Sequence, residues 1–317
     1  MAIVRPRLNF NLHLKLPETS EIRPCFTLPI LPITTKSSGG DAIALDDVEK
    51  LAVLGHGSGG TVYKVRHKKT CVIYALKVIH CESDAAARSR VISEINILAA
   101  ADCPYIVRYH GSSVQPFGDV SIVMEYMDSG TLETALKSGG AFSERRLSAV
   151  ARDVLNGIAY IHARNVAHRD LKPANILMNS NNEIKIADFG VSKQHVSAFT
   201  CNTFVGTCAY MSPERLNPNG DGGNYNGYAA DIWSFGLTLF ELYVGHYPFL
   251  HPGQTPTWTN LIFAICFSDP PSLPETASPE FRSFMECCLN KESGERWTAT
   301  QLLTHPFVFV CQDPETC

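Results

Sequence analysis

HRDLKPANILMNSNNEIKIADFG, running from His168 to Gly190, is the stretch on which the fold turns. It gathers Asp170, Lys172 and Asn175 in one short polar loop and places a second acid, Asp188, ahead of a glycine. A surface turn has no use for two carboxylates, an amide and an ammonium at fixed offsets. A site that holds a metal–triphosphate and orients a hydroxyl does. In that reading Asp170 accepts the hydroxyl proton or orients the attacking oxygen, and Lys172 neutralises charge on the transferring group. Asn175 and Asp188 offer the hard oxygen donors that Mg²⁺ requires. Such chemistry is mostly positioning and electrostatics.

Upstream, GHGSGGTV carries Gly55, Gly57 and Gly60 at G-x-G-x-x-G spacing, followed by Val62. The spacing by itself fits any Gly-rich hairpin. Its context narrows it: alternating apolar and polar residues lie on both sides, so strands flank the glycines, whereas a dinucleotide-binding βαβ unit opens a helix at its third glycine. A hairpin flap whose backbone N–H groups close over phosphates fits better. Fifteen residues past Val62, Lys77 sits in YALKVI on an apolar strand. A lysine there needs an anion to offset its desolvation. Glu94, on a helix with Val91, Ile95 and Leu98 along one face, is the expected counter-charge.

These residues resemble the eukaryotic protein kinase signature over about Asp46 to Pro306. The resemblance implies an α+β, bilobal protein kinase fold: a flexible arm over 1–45, a β-rich N-lobe with one main helix over 46–127, a mostly helical C-lobe over 128–308 and a tail over 309–317. It implies ATP and Mg²⁺ as cosubstrate and metal. Leu54, Gly55, Gly57, Gly60, Val62, Lys77 and Glu94 then surround the nucleotide, with Met124 as gatekeeper and Glu125 to Met127 as the adenine-facing hinge. The likeness extends to MSPE (Met211–Glu214), to DIWSFG (Asp231–Gly236) and to Arg296, the family partner of Glu214. By the same resemblance Leu98, Tyr109, His168 and Phe189 stack as a spine anchored by Asp231. Two departures, S-P-E for A-P-E and Y-A-L-K for V-A-I-K, touch no reacting group.

Within that family, DLKPAN is similar to Ser/Thr-type loops, and VGTCAYMSPERL closely resembles MAP kinase kinases, which phosphorylate both Thr and Tyr of a MAP kinase. The segment from Gly190 to Gly206 holds Ser192, Ser197, Thr200 and Thr203 and no acid, a composition suited to charge-adding modification. Ser197 and Thr203 stand six apart, similar to the activation motif of plant MAP kinase kinases; Thr200 is the rival acceptor. Arg169 is the expected receiver of the phosphate, and Thr207 falls to the substrate-facing wall. In the arm, Arg5 and Arg7 followed by Leu12 and Leu14 resemble the docking motif with which such kinases grip a MAP kinase. Cys201 and Cys208 flank Thr203; a redox role needs exposure and a lowered pKa, so they read as inert thiols.

Bulk properties agree with this. The chain of 317 residues is 45% hydrophobic and 18% charged, with a net charge of −4, so no basic excess points to nucleic acid. Eleven cysteines without CxxC spacing read as reduced thiols of a cytoplasmic or nuclear protein. The apolar run around Trp233–Leu250 is interrupted by Glu241, His246 and Pro248, so a core helix is expected and no membrane association. The N-terminus lacks the apolar run of a signal peptide, and Glu18 and Glu21 count against a transit peptide. The expected protein is a monomer with a downstream MAP kinase substrate and an upstream MAP kinase kinase kinase. Two rivals are another Ser/Thr kinase of the cascade and a pseudokinase scaffold; the intact Lys77, Asp170, Asn175 and Asp188 separate the latter from an enzyme.

Overall fold

The computed structural model describes residues 43–57, 60–80, 85–114, 118–189, 208–216, 225–250 and 257–312, without the side chains of 85–90, 93, 94 and 310–312. After a 3₁₀ turn at Leu45–Asp47 the chain forms β1 (Val48–Gly57), β2 (Gly60–His67) and β3 (Ile73–Ile79). Helix α1 (Ala85–Ala100) is followed by β4 (Tyr109–Val114) and β5 (Val120–Glu125), in an antiparallel sheet of order β1-β2-β3-β5-β4. Alternation along β3 sorts its side chains. Leu76 and Val78 meet Val65 and Val123 on one face. Lys77 and Ile79 turn to the other, where Ile79 packs with Val91, Ile95, Val120 and Ile122. Burying each such side chain stabilises by about 1.5–3 kcal/mol, which holds α1 on the sheet. Leu98, one turn further along α1, joins the core of the second lobe.

That lobe contains α2 (Leu132–Gly139), α3 (Glu144–His162), a hairpin of β6 (Ile176–Met178) and β7 (Ile184–Ile186), α4 (Pro213–Leu216) and α5 (Gly227–Val244). It continues through α6 (Trp258–Ile262), α7 (Pro279–Cys288) and α8 (Ala299–Leu302) to a 3₁₀ turn at Pro306–Gln312. Ser143 caps α3, accepting from Arg146 N. Helix α5 is the centre of the lobe: capped by Asn226, it buries Trp233, Phe235 and Phe240 completely on its several sides and stops at Gly245, whose φ of 88° is left-handed. Among the described residues no helix is long and apolar enough to cross a membrane.

Three local expectations change. The apolar run VSIVMEYM (120–127) predicts a strand through Met127, but β5 ends at Glu125, because the chain leaves the sheet there to cross to the second lobe. Apolar spacing over 258–267 predicts one helix, which widens into a π-turn at Phe263–Phe267. Strands β6 and β7 follow the polar loop and are not predicted by periodicity; at three residues each they are too short to display alternation.

Candidate functional site

Three structural elements converge on the polar loop, and α5 fixes its backbone. Asp231, fully buried, accepts from His168 N and Arg169 N at 2.7 Å each and lies 2.9 Å from His162 Nε2. Those bonds hold Arg169 at a φ of 68°, a left-handed conformation that costs a residue with a Cβ about 1–2 kcal/mol. His168 accepts from Asp170 N through Nδ1 (3.3 Å) and donates through Nε2 to Ala187 O (3.1 Å), so one neutral tautomer ties the loop to the strand preceding Asp188. Its ring lies 5.1 Å from that of Phe189, and Leu98, Tyr109 and Phe189 share one apolar cluster, in line with the expected spine.

Lys77 reaches 2.6 Å to Asp188 Oδ1 from a position only 7% exposed. Burial pushes the Asp188 carboxyl up, but the charge and hydrogen bond of Lys77 outweigh it and hold the group below the ordinary carboxylate range. Asp188, like Arg169, adopts a left-handed φ, 57°, in the conformation that meets Lys77. On the facing loop Lys172 Nζ bonds both oxygens of Asp170 (3.1 and 3.0 Å). Asn175 Nδ2 donates to Asp170 O (2.8 Å) and Oδ2 (3.0 Å), and Asn175 O accepts from Ala187 N at 2.9 Å.

This donor set fits magnesium bound together with phosphates. The Asn175 amide directs its nitrogen at Asp170, which leaves its oxygen as the available ligand, and Asp188 retains Oδ2 beyond its Lys77 contact. Among the described residues no cluster of three or more His, Cys, Asp or Glu side chains could hold a metal alone. Two hard oxygens and a need for further oxygen ligands match a small divalent cation that keeps waters and shares substrate phosphates.

The flap behaves as two kinds of glycine. β1 and β2 meet at Gly57 and Gly60. Gly60 has a φ of 110°, and a Cβ there would lie 2.1 Å from Val78 O, so the fold itself requires it. A Cβ on Gly55 meets nothing within 4 Å, so its side-chain space remains open to a ligand. Val62 pairs with Lys77 across β2 and β3, and Leu54 is 46% exposed on β1. Met124 faces Ala75 of β3 and Tyr109 of β4 and bridges the cores of the two lobes. Met127 is buried, and its carbonyl accepts from Gly130 N at 3.3 Å.

Glu125 departs from a simple adenine-facing role. Its Oε1 meets Lys185 Nζ at 2.6 Å, its Oε2 accepts from Arg108 N at 3.1 Å and its backbone N–H donates to Arg108 O at 2.9 Å, so its backbone carbonyl is the group left to face a nucleotide. Lys185 escaped the sequence reading, although it sits between two isoleucines in IKI and carries the same signal as Lys77: an apolar-flanked ammonium that needs an anion. Also unforeseen is a network below the loop. Tyr210 donates to Glu241, Ser234 Oγ donates to Tyr210 O (2.7 Å), and Tyr247 donates to Ala209 O (2.5 Å). Burial raises the pKa of both phenols, Tyr247 and Tyr210, so they stay donors. The expected Glu214–Arg296 pair is present and bidentate (2.7 and 2.8 Å), and Arg296 also donates to Asn290 O, Ala229 O and Lys291 O.

Arg5, Arg7, Leu12, Leu14, Ser192, Ser197, Thr200, Cys201, Thr203 and Thr207 lie outside the described residues, as does the side chain of Glu94 on α1. Cys208 is 1% exposed, which denies it the access a redox sensor needs.

A protein kinase domain model matches residues 48–308. The chain is 52% identical to mitogen-activated protein kinase kinase 9 of Arabidopsis thaliana, with 97% of this chain and 99% of that protein covered. It is 50% identical to mitogen-activated protein kinase kinase 7 and 44% identical to mitogen-activated protein kinase kinase 8 of the same plant, each again over 97% of this chain and 99% of the relative.

Proposed function

The chain belongs to the protein kinases and, among them, to the plant mitogen-activated protein kinase kinases, and from that membership we propose that it transfers the γ-phosphoryl group of ATP to Thr and Tyr hydroxyls of a MAP kinase activation loop. The observation that carries this reading is the Lys77–Asp188 contact of 2.6 Å opposite the Asp170–Lys172–Asn175 cluster: four charged groups and one amide convergent on a single crevice. Magnesium, when bound, neutralises phosphate charge. Asn175 and Asp188 would hold it, Lys77 would orient the phosphates, and backbone N–H groups of the flap would cover them. Asp170 receives the substrate hydroxyl through Oδ1, which Lys172 bonds and Asn175 does not. Lys172 then stands beside the transferring group as a counter-charge.

Phosphorylation of Ser197 and Thr203 by an upstream MAP kinase kinase kinase is the proposed switch, with Thr200 as the alternative acceptor. Arg169 supports it physically: its Nε is buried without an acceptor, and a loop phosphate supplies one. Arg5, Arg7, Leu12 and Leu14 are proposed to engage the MAP kinase, the cations on an acidic patch and the leucines in apolar pockets, in the cytoplasm or nucleus and with the kinase as a monomer.

The test is incubation of the protein, with acids at 197 and 203, with Mg²⁺-ATP and a catalytically dead MAP kinase, followed by separate readout of phospho-Thr and phospho-Tyr. Both are expected, and Asp170→Asn is expected to remove both while the melting transition stays cooperative. Phosphorylation of Thr alone would reduce the protein to a Ser/Thr kinase; turnover retained by Asp170→Asn would remove the assigned role.

A further inference from the structure

The back of the hinge is closed by a charge pair that joins the lobes. Glu125 is the last residue of β5, and within three residues the chain has crossed to the second lobe. Lys185 belongs to β7 of that second lobe, sixty positions away in sequence, yet its Nζ lies 2.6 Å from Glu125 Oε1, with the two side chains 12% and 24% exposed. The surroundings are built around the same point. Glu125 N donates to Arg108 O (2.9 Å) while its Oε2 accepts from Arg108 N (3.1 Å), so residue 108 is bonded on both its polar groups. The chain just before it is sewn to β7: Val107 N donates to Ile186 O (3.0 Å) and Ile186 N donates to Tyr105 O (2.9 Å). The segment 105–108, the end of β5 and β7 therefore form one block, and the Glu125–Lys185 pair is its ionic member.

We propose that Lys185 is a positioning residue for nucleotide binding: by holding the Glu125 carboxylate on the rear of the hinge, it fixes the Glu125–Met127 backbone facing the adenine. This rests on the reading of the cleft as an ATP site. The physical basis is the half-buried carboxylate. With its counter-ion present, the lowest-energy place for the charge is behind the hinge, against Lys185 and the Arg108 N–H. Without it, a lone carboxylate at 24% exposure is under-solvated and rotates toward water, taking the end of β5 with it. Loss of a preformed binding edge lowers affinity by the ordering the ligand must then impose. It leaves the phosphoryl-transfer groups, Asp170, Asn175 and Asp188, where they are.

The experiment measures direct ATP binding, KM for ATP, KM for the protein substrate, kcat at saturating ATP and the melting temperature for the parent, Lys185→Met, Glu125→Gln, the double variant and Lys185→Arg. Each of the first two single variants is expected to weaken ATP binding about fivefold, the order expected from one partly exposed charge-assisted bond, with kcat and the protein-substrate KM within about twofold. The double variant should be no worse than either single, because both remove one interaction and Glu125→Gln also removes the stranded carboxylate, and Lys185→Arg should restore binding. Unchanged ATP affinity in Lys185→Met overturns the proposal even if its melting temperature falls, and so do additive effects in the double variant. Glu125→Gln keeps an oxygen for the Arg108 N–H and carries the same test should Lys185→Met fail to fold. A parent protein that does not bind Mg²⁺-ATP at all refutes the ATP-site reading, whereas a parent that binds and variants that bind equally well refute this proposal alone.

Discussion

Asp231→Asn separates geometry from chemistry in this kinase, because Asp231 touches no reacting group and yet sets the backbone of the residues that do. The carboxylate accepts from two backbone N–H groups at 2.7 Å and lies 2.9 Å from His162 Nε2, with none of its surface exposed. The asparagine fills the same volume, so no cavity term arises. It retains one acceptor oxygen and turns an NH₂ toward a donor. A hydrogen bond to a charged group contributes about 1.5–3 kcal/mol, and the stranded donor adds to the loss; a total of about 3 kcal/mol lowers Tm by about 6–12 °C for a domain of this size. The kinetic effect is larger. Arg169 is held at a φ of 68° by one of these bonds. Once released, it relaxes toward negative φ and moves Asp170, its neighbour. A displacement of about 1 Å at a reacting group reduces turnover about 100-fold. The assay is steady-state phosphorylation of a MAP kinase at saturating ATP, run well below the variant's Tm, alongside ATP binding. A fall in kcat with ATP affinity nearly intact is expected, since Lys77 and the flap do not depend on Asp231. A folded Asp231→Asn with kcat within twofold of the parent would show that the loop backbone is held by other means.

Other expectations follow from single contacts. Gly60→Ala places a Cβ 2.1 Å from Val78 O at a φ of 110° and should lower Tm and ATP affinity together, whereas Gly55→Ala, with nothing within 4 Å, should keep Tm and lose ATP affinity; equal Tm losses for the two would contradict the distinction. Arg296→Lys keeps at most three of the five donated bonds of the guanidinium and should cost about 3–5 kcal/mol, read by urea denaturation; a loss under 1 kcal/mol refutes a structural role for the fork. For Glu241, burial and the like charge of Glu133 raise the pKa against the bond from Tyr210 and the charge of Lys137. A carboxyl raised on folding contributes stability below its unfolded value of about 4.5, and that contribution is lost as pH rises through the folded value. Glu241→Gln should therefore match or exceed the parent in Tm at pH 8 and lose ground to it toward pH 4.5; a Tm difference independent of pH contradicts the raised pKa.

What the sequence disclosed, and what it hid, divides along chain separation. The polar loop was legible because Asp170, Lys172 and Asn175 are local, and their fixed offsets force them onto one turn. The stripe of Val91, Ile95 and Leu98 was legible because helical periodicity is local too. Ser143 could be read as a cap from its place before an apolar repeat. The direction of the Glu125 side chain was not legible, because Lys185 is sixty positions distant and only the fold brings them together. The Tyr210–Glu241 contact, across thirty-one positions, failed for the same reason. β6 and β7 were hidden by shortness, three residues offering no period to detect. The π-turn at Phe263–Phe267 was hidden because widening a helix by one residue per turn barely alters an apolar pattern.

Asn175 and Asp188 are proposed to bind a magnesium–nucleotide complex jointly with its phosphates. The most direct measurement is the ATP dissociation constant titrated against Mg²⁺ concentration in the parent, Asn175→Ala and Asp188→Asn. Binding that tightens with Mg²⁺ in the parent and loses that dependence in both variants is the predicted result. The same Mg²⁺ dependence in all three proteins would contradict it.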